Sequence, residues 1–240
     1  LFAMNTTPAL SVLMATHGLA PHLREAVESI LSQTYQDFEF LIVNNGTQGE
    51  ARGYLDSLSD PRVRIIHNPQ NVGLTKALNQ ALREARGGLI ARMDDDAISD
   101  PERFAIQKEY LDTHVQVFLV GTAITLIDGT GKAKGRKHAL TDIEELKFRQ
   151  LTLSQFVHPS VMFRKDAFVR EGGYDENYRY AQDYEAWSRL MRAGLTLTNI
   201  DQSLLKYRVH GESTTQSGDS RTIAYELALS ITRSNLAHYI

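Results

Sequence analysis

The sequence contains no cysteine, so neither disulfide bonds nor thiolate metal sites are available to it. Any metal ion must be bound through Asp, Glu, His or carbonyl oxygen, and oxygen ligands suit hard ions such as Mg²⁺ and Mn²⁺. The sequence also has no apolar run long enough to span a bilayer, and its N-terminus lacks a charged segment followed by an apolar one. These absences favour a soluble, unsecreted protein in a reducing compartment, and we expect it in the cytoplasm.

Neither sign of charge is in large excess, because 26 Lys and Arg residues stand against 29 Asp and Glu residues. The net charge of -3 gives no bulk attraction to a polyanion, so no nucleic-acid partner is predicted. The 240 residues are enough for one α/β domain with a substantial core. We predict a single domain over residues 4–240.

Three consecutive carboxylates, Asp94, Asp95 and Asp96, directly follow the apolar segment Leu89–Met93. This pattern is typical of a buried strand that ends in acidic residues. Adjacent carboxylates repel one another, and a divalent cation relieves that repulsion. Since side chains alternate along an extended segment, Asp94 and Asp96 are predicted on one side and Asp95 on the other. The alternative interpretation is a solvated acidic turn.

The first half of the chain alternates short apolar segments with amphipathic helix patterns. Strands are predicted at residues 10–15, 38–43, 63–67 and 89–93, and helices at 23–31 and 74–85. This alternation favours a parallel sheet with right-handed crossovers and helices on both faces. Ligands of such sheets bind outside the carboxyl ends of the strands. The polar residues predicted at that edge are Thr16, Asn44, Asn45, Asp94 and Asp96.

The second half is less regular. A capping box at Thr141 and Glu144 predicts a helix to about residue 151, and Asp183 stands near the start of another helix, whose dipole should keep it ionised. Trp187 on that helix is predicted to pack in the core. Further segments predicted are a helix at 102–112, strands at 115–120, 123–127, 161–163, 195–200 and 203–209, a hairpin turn at 128–131 and an amphipathic helix at 222–240.

A basic stretch broken by glycine covers residues 132–138. We interpret it as a mobile, solvated loop. Two alternatives stay open, namely a lid over an anionic ligand and a contact with anionic lipid.

Seven stretches, in this order along the chain, carry a resemblance to a known family: SVLMATHG, FEFLIVNNGT, NVGLTKALNQAL, ARMDDDAISDPERF, HPSVMFRKDAF, GGYDENYRYAQDYEAWSRL and YRVHGEST. Together they resemble family 2 glycosyltransferases of the GT-A fold. The resemblance implies an α/β fold with a single Rossmann-like, mostly parallel central sheet, helices on both faces and a smaller acceptor-side β/α subregion. It also implies a nucleotide-sugar half at about residues 9–100, an acceptor half at about 101–215 and a C-terminal helix at 222–240.

The activity that the resemblance implies is inverting transfer of a sugar from a nucleotide-sugar donor to a hydroxyl group. A UDP-sugar is the expected donor, and a glycan or a lipid-linked sugar the expected acceptor, in cell-surface polysaccharide synthesis. A divalent metal, Mn²⁺ or Mg²⁺, is the expected cofactor. The expected location is the cytoplasm, with contact to the inner face of the membrane left open, and no oligomeric state is predicted.

The resemblance also implies roles for individual residues. Asp183 is implied as the catalytic base, and Asp96 and His210 as metal ligands. The residues implied in donor binding are Thr16, His17, Asn44, Asn45, Asn71, Lys76, Asp94, Asp95 and Asp96.

The sequence departs from the family pattern in three places. Asn44 and Asn45 replace an acidic pair, Gln182 replaces the Glu before Asp183, and Ala97 stands where a further Asp is common. An amide can still pair with a uracil edge but carries no charge, so the identity of the base is less constrained.

Two other classes of protein are alternatives to a glycosyltransferase. A non-catalytic nucleotide-sugar or carbohydrate-binding protein could share the fold, since fold does not fix function. The presence of both Asp96 and Asp183 favours an enzyme. A nucleotidyltransferase is expected to have a phosphate-binding loop rich in glycine and lysine after the first strand, and this sequence has no such loop at that position.

Overall fold

A computed structural model of the chain describes residues 7–17, 22–209 and 218–239, with side chains in the last segment from residue 221. Its strands are β1 (Leu10–Thr16), β2 (Phe38–Asn45), β3 (Val63–Asn68), β4 (Leu89–Met93), β5 (Ile98–Ser99), β6 (Val117–Ile127), β7 (Ala133–Lys137), β8 (Met162–Arg164) and β9 (Thr196–Arg208). Its helices are α1 (Leu23–Leu31), α2 (Gly49–Asp56), α3 (Leu74–Glu84), α4 (Arg103–Thr113), α5 (Ile143–Gln150), α6 (Lys165–Arg170), α7 (Gln182–Arg192) and α8 (Gly218–Tyr239), with a 3₁₀ helix at His158–Ser160.

All described strands belong to one sheet of order β3-β2-β1-β4-β8-β6-β9-β5, with β7 paired to β6. The first four strands of this order run parallel, as the sequence predicts. β8 is antiparallel to both β4 and β6, while β6 and β9 run parallel along ten residue pairs. The short strand β8 therefore joins the N-terminal part of the sheet to the C-terminal part.

Helices cover both faces of the sheet and produce two hydrophobic clusters. Val12 and Met14 of β1 point into one cluster, and the intervening Leu13 points into the other. The first cluster includes residues of α1, α2 and α4, and the second includes residues of α3, α6 and α7. Since each fully buried aliphatic side chain contributes about 1.5–3 kcal/mol, both faces stabilise the sheet. Strands β1, β2 and β4 are buried along their whole length, whereas most of the edge strand β3 is only half-buried.

A polar network inside this core fixes the end of β4. Arg103 of α4 is fully buried and donates to the Arg92 carbonyl oxygen at 2.7 Å and to Gln107 at 3.0 Å. Gln107 in turn donates to the carbonyl oxygens of Val120 and Ser160. Burial lowers the pKa of Arg103 to about 9, and the like charge of Arg92 adds to that effect. The network ties β4, β6 and the 3₁₀ helix together directly beneath the acidic residues.

Two pairs of predicted strands are single strands. The segments predicted at 115–120 and 123–127 are one strand, β6, and those at 195–200 and 203–209 are one strand, β9. The two long strands pair with each other, and the register of this pairing shifts between Thr122 and Ala123. The shift accommodates the interruption in the apolar pattern of the sequence, so neither strand ends there.

The basic stretch at 132–138 is not a loop, so that prediction is wrong. Residues 133–137 form β7, which makes a hairpin with β6. Three side chains of the basic stretch have acidic partners: Lys134 lies 3.1 Å from Asp128, while Arg136 and the His138 ring lie 3.2 Å and 3.0 Å from Asp201. These pairs neutralise part of the positive charge on which the alternatives of a lid and a lipid contact depend.

The predicted helix start near Thr141 lies one residue too early. Asp142 is the N-cap of α5, and its side chain accepts from the Glu145 backbone N–H at 2.8 Å. An Asp at this position satisfies an otherwise unpaired N–H group as well as a Thr does. Across the three described segments, no helix is both long enough and apolar enough to cross a membrane.

Candidate active site

The carboxyl ends of β1, β2 and β4 bring the predicted polar residues to one edge of the sheet. Thr16 pairs with Asn44 across β1 and β2, and Met14 pairs with Met93 across β1 and β4. This register places Asp95, two residues after Met93, beside Thr16. The arrangement follows from parallel pairing, which aligns strand ends that are far apart in sequence.

Asp94 lies over a buried cation. Arg92 is 2% exposed, and its guanidinium forms an ion pair with the Asp94 carboxylate, which is 28% exposed. The two residues are two apart along the strand, so alternation puts them on the same face. Burial raises the pKa of Asp94, while the charge of Arg92 opposes the rise. Arg92 thus holds the first carboxylate of the acidic triplet in place.

The Asp95 carboxyl group lies beside Thr16 of β1, and the charges of both neighbouring acids affect its pKa. Burial raises its pKa to about 6, the charges of Asp94 and Asp96 add to the rise, and the Thr16 side chain opposes it. Burial is the largest cause of this rise, and the two neighbouring carboxylates add to it because three acidic residues follow one another at the strand end. Crowded carboxylate oxygens are the donor set that a hard divalent cation requires.

The described residues do not enclose a metal ion by themselves. In the described parts of the chain, no three His, Asp or Glu side chains gather closely enough to form such a cage. His210, the second predicted metal ligand, lies outside the described residues. Mg²⁺ typically binds through one or two carboxylates together with substrate phosphates, so the acidic triplet fits a metal that arrives with its diphosphate.

Asp183 faces the acidic triplet from the first turn of α7. Burial raises the pKa of Asp183, whereas the backbone N–H groups of Asp183 and Tyr184 lower it in part. The predicted effect of the helix start is therefore present but smaller than that of burial. The charge of Asp94 adds to the rise in this pKa. Before the helix, Ala181 adopts a left-handed conformation with φ of 55°, uncommon for a residue with a side chain.

A buried aromatic group supports α7 beneath Asp183. His158 Nε2 lies 2.9 Å from the Tyr174 hydroxyl, and both rings meet Trp187 edge-on. Burial lowers the pKa of His158 well below its ordinary value, and the charge of Arg92 adds to this effect. Trp187 is fully buried against Phe163, which confirms its prediction as a core residue.

The amides of Asn44 and Asn45 build the loop after β2. Asn44 accepts from the Thr47 backbone N–H at 2.8 Å and donates to the Thr47 carbonyl and to His67 Nδ1. Asn45 accepts from Asn68 and from the Val72 backbone N–H, and donates to Asn71 Oδ1 at 2.9 Å. Asn45 therefore has one amide N–H beyond these bonds, whereas Asn44 uses both of its own.

The remaining predicted donor-site residues lie around this loop. The His17 Nδ1 atom is 2.9 Å from the Asn45 carbonyl oxygen. Asn71 Oδ1 accepts from the Gly73 backbone N–H as well as from Asn45, and so joins the loop to the start of α3. Lys76 is exposed on the first turns of that helix.

Gly46 is expected to be essential to this loop. It has φ of +89°, and a Cβ there would come within 2.6 Å of Asn71 N and 2.7 Å of Gln70 C. Gly46→Ala should lower the free energy of unfolding by about 3 kcal/mol, through backbone strain and overlap. Denaturant unfolding measures the change.

Gly53→Ala is the matched control, because Gly53 lies inside α2 and a Cβ there meets nothing within 4 Å. It should raise the free energy of unfolding by up to about 1 kcal/mol. Equal effects of the two substitutions would contradict the proposed role of Gly46.

Sequence reasoning missed two arginines of the site. Arg208, at the end of β9, donates to the Asp96 carbonyl oxygen at 3.1 Å and pairs with Glu25 at 2.5 Å. Arg92 could have been noticed, because a charged residue inside the apolar strand LIARM needs a partner. Arg208 has no comparable signal, since all of its partners, Glu25, Asp96, Asp128 and Gly129, are distant in sequence.

Comparisons with known proteins agree with this geometry. The profile of glycosyl transferase family 2 matches residues 11–172. The chain is 33% identical over 224 residues to the O-antigen biosynthesis glycosyltransferase WbnJ of Escherichia coli, covering 87% of this chain and 82% of WbnJ.

Solved structures show the same fold. Residues 1–349 of S. aureus TarS in complex with UDP-GlcNAc superpose with a TM-score of 0.74 at 16% identity, covering 92% of this chain and 66% of TarS. The mannosyltransferase PcManGT of Pyrobaculum calidifontis, in complex with GDP-Man and Mn²⁺, gives a TM-score of 0.65 at 16% identity, covering 97% and 75%. This chain thus spans just under two thirds of that TarS fragment. The family match and the fold together show that the chain belongs to glycosyl transferase family 2 and is a glycosyltransferase with the GT-A fold.

Proposed function

We propose that this enzyme transfers a sugar, with inversion, from a nucleotide-sugar donor to a hydroxyl group of a glycan or lipid-linked acceptor in polysaccharide synthesis. The observation that carries the proposal is the meeting of two acidic groups from distant parts of the chain. Trp187 of α7 packs against Phe163 of β8, and Phe163 pairs with Ile90 of β4, so α7 lies beside the strand that carries the triplet. Burial raises the pKa of Asp183, and the charge of Asp94 adds to the rise. The relationship to WbnJ supports a role in surface polysaccharide synthesis.

Inversion by a single displacement needs a base on the face opposite the leaving group. Asp183 supplies a carboxylate that accepts the proton of the attacking hydroxyl, and its raised pKa strengthens it as a base. Arg92 orients Asp94 toward the donor sugar, and Arg208 fixes the backbone of Asp96. Donor binding and proton removal are thereby assigned to different elements.

Asp96 would hold the metal, Mn²⁺ or Mg²⁺, together with the donor diphosphate, and His210 is the proposed second protein ligand. When bound, the metal stabilises the negative charge that develops on the leaving diphosphate. Three consecutive carboxylates whose charges raise one another's cost of ionisation in a buried place support a cation at this position. The complex of PcManGT with Mn²⁺ is consistent with it.

The nucleotide subsite is proposed along β1, β2 and the start of α3. Its residues are Thr16, His17, Asn44, Asn45, Asn71, Lys76, Asp94 and Asp95. A UDP-sugar is the proposed donor, because one amide N–H of Asn45 makes no bond to the described residues and can donate to a uracil carbonyl. TarS binds UDP-GlcNAc and PcManGT binds GDP-Man, so the fold alone does not choose the base.

Uridine should be preferred, but with weaker discrimination than a carboxylate would give, because an amide contact carries no charge. The expected result is a larger thermal shift with UDP than with dTDP or GDP in the presence of Mn²⁺. Asn45→Ala should reduce the UDP shift, whereas Asn177→Ala, on an exposed turn, should leave it unchanged. A clear preference for GDP would contradict this prediction.

The proposed function is tested by incubating the enzyme with Mn²⁺ and a panel of nucleotide sugars. Slow release of UDP from at least one UDP-sugar is expected, since donor hydrolysis needs no acceptor. Binding of nucleotide sugars without release, also in the presence of glycan and lipid-linked acceptors, would favour the non-catalytic binding protein instead.

A further inference from the structure

Among the described residues, helix α8 is anchored to the domain along one broad side. Ile231 and Asn235 are each 2% exposed, and Asn235 Nδ2 donates to the Ser188 hydroxyl at 3.1 Å and to the Gln150 carbonyl oxygen at 3.3 Å. The Thr232 hydroxyl lies 3.2 Å from the Tyr184 hydroxyl. These contacts order the helix against α5 and α7 and leave its other side uncovered by the described residues.

A row of exposed apolar side chains runs along the edge of the anchored side. Tyr225, Leu229, Leu236 and Tyr239 are 64%, 38%, 40% and 55% exposed. Thr232, which is half-buried and bonded to Tyr184, lies in line with them, and the five positions follow one another at intervals of four, three, four and three residues. We call these five positions the heptad stripe.

The spacing identifies the kind of partner that this surface fits. A narrow stripe with a mean period of 3.5 residues is the seam of a two-helix coiled coil. A helix lying on a bilayer instead has a broad apolar face and a polar face rich in Lys and Arg. Arg221, Glu226 and Arg233 carry charges of both signs on the exposed part of α8. The stripe is therefore suited to another helix.

The flanking charges fit a second copy of the same helix. Glu226 and Arg233 follow two of the stripe residues directly and are seven residues apart, so they lie on the same side of the stripe. When two such helices pack antiparallel, Glu226 of one copy lies opposite Arg233 of the other, and twofold symmetry repeats the pair. A parallel pairing would not bring these two residues together.

We propose that two copies of this chain associate through the heptad stripes of their α8 helices, packed antiparallel about a twofold axis. The stripe covers about 21 Å of helix at 1.5 Å per residue, so the interface is small. Because α8 is already ordered by its own domain, association does not have to fold it. A dimer that dissociates on dilution in the micromolar range is expected.

Sedimentation velocity of the 240-residue chain, over about 1–100 μM, tests the proposal. The parent should shift from monomer to twice its mass, and Leu229→Lys with Leu236→Lys should remain monomeric. Ile223→Lys is the matched control, because Ile223 is 46% exposed on another side of α8, and it should dimerise like the parent. A parent that stays monomeric throughout, or a control that dissociates equally, overturns the proposal.

Charge reversal provides a test that does not depend on the core of the stripe. Glu226→Arg or Arg233→Glu alone should raise the dissociation constant roughly tenfold, and the two together should restore it. At a protein concentration low enough for the parent to be monomeric, each variant should have the same melting temperature as the parent. No rescue by the double reversal overturns the antiparallel pairing. The stripe would be a membrane contact if the parent stayed monomeric and bound anionic vesicles, and if Leu229→Lys with Leu236→Lys abolished that binding. This result would also overturn the proposal.

Discussion

Asp183→Asn is expected to bind the nucleotide sugar and metal about as well as the parent, while sugar transfer falls by about two to four orders of magnitude. The substitution keeps the size and the position of the side chain but removes its ability to accept a proton. The donor subsite is built from β1, β2 and β4, whereas Asp183 is held by α7. Loss of the Asp183 carboxylate should therefore lower the rate of transfer without changing the affinity for the donor.

The measurement compares transfer to an identified acceptor with donor affinity from calorimetry. Asp166→Asn is the control, because Asp166 is an exposed acid in the first turn of another helix, α6. It should change transfer by less than about twofold, as surface substitutions usually have small effects.

A mutant that keeps more than about a tenth of the transfer rate would show that Asp183 is not the base. Glu185 is a poor substitute, because its carboxylate is bound by Arg189 at 2.9 Å and 3.2 Å.

Asp96→Ala is expected to abolish the part of UDP binding that depends on Mn²⁺ and to lower metal-dependent transfer by roughly a hundredfold or more. The change removes the carboxylate but keeps the carbonyl oxygen that Arg208 binds. The acidic turn should therefore keep its shape and lose only its proposed metal ligand.

Titration calorimetry with UDP, with and without Mn²⁺, checks this prediction. Asp112→Ala serves as the control, since Asp112 is an exposed acid that pairs with Lys108 on α4. The proposal fails if Mn²⁺ has no effect on UDP affinity in the parent, or if Asp96→Ala responds to Mn²⁺ as the parent does.

The N-terminal half of the fold could be predicted because its signals are local. The apolar strands β1, β2 and β4 are buried on both faces and read as continuous hydrophobic runs. Parallel pairing then brings their polar ends together without further information. Asp94, Asp95 and Asp96 could be placed at one edge for that reason.

The second half was less predictable because its structure depends on distant pairing. Residues 132–138 look like a loop from their charge and glycine, yet β6 offers an edge to which they pair, and Asp128 and Asp201 offset their charge. Arg208 reaches Asp96 and Glu25 only after the sheet has closed. Nothing in the sequence near Arg208 indicates either contact.

The side-chain contacts of the two asparagines at the end of β2 could not be predicted, for a different reason. Their position at the strand end was predictable, but the hydrogen bonds of Asn44 and Asn45 to loop backbone and to Asn68 and Asn71 were not. Side-chain bonds of this kind depend on how a loop returns to the strand, which composition does not specify.

The place of β8 in the sheet has a consequence for the growing polypeptide. Strands β3, β2, β1 and β4 all come from the first 93 residues, but β8, which pairs with the free side of β4, begins at Met162. At ordinary ribosomal rates this delay is on the order of ten seconds. During that time the apolar strand Leu89–Met93 has an unpaired edge open to other nascent chains. Newly made copies are therefore most prone to aggregate between the synthesis of β4 and that of β8.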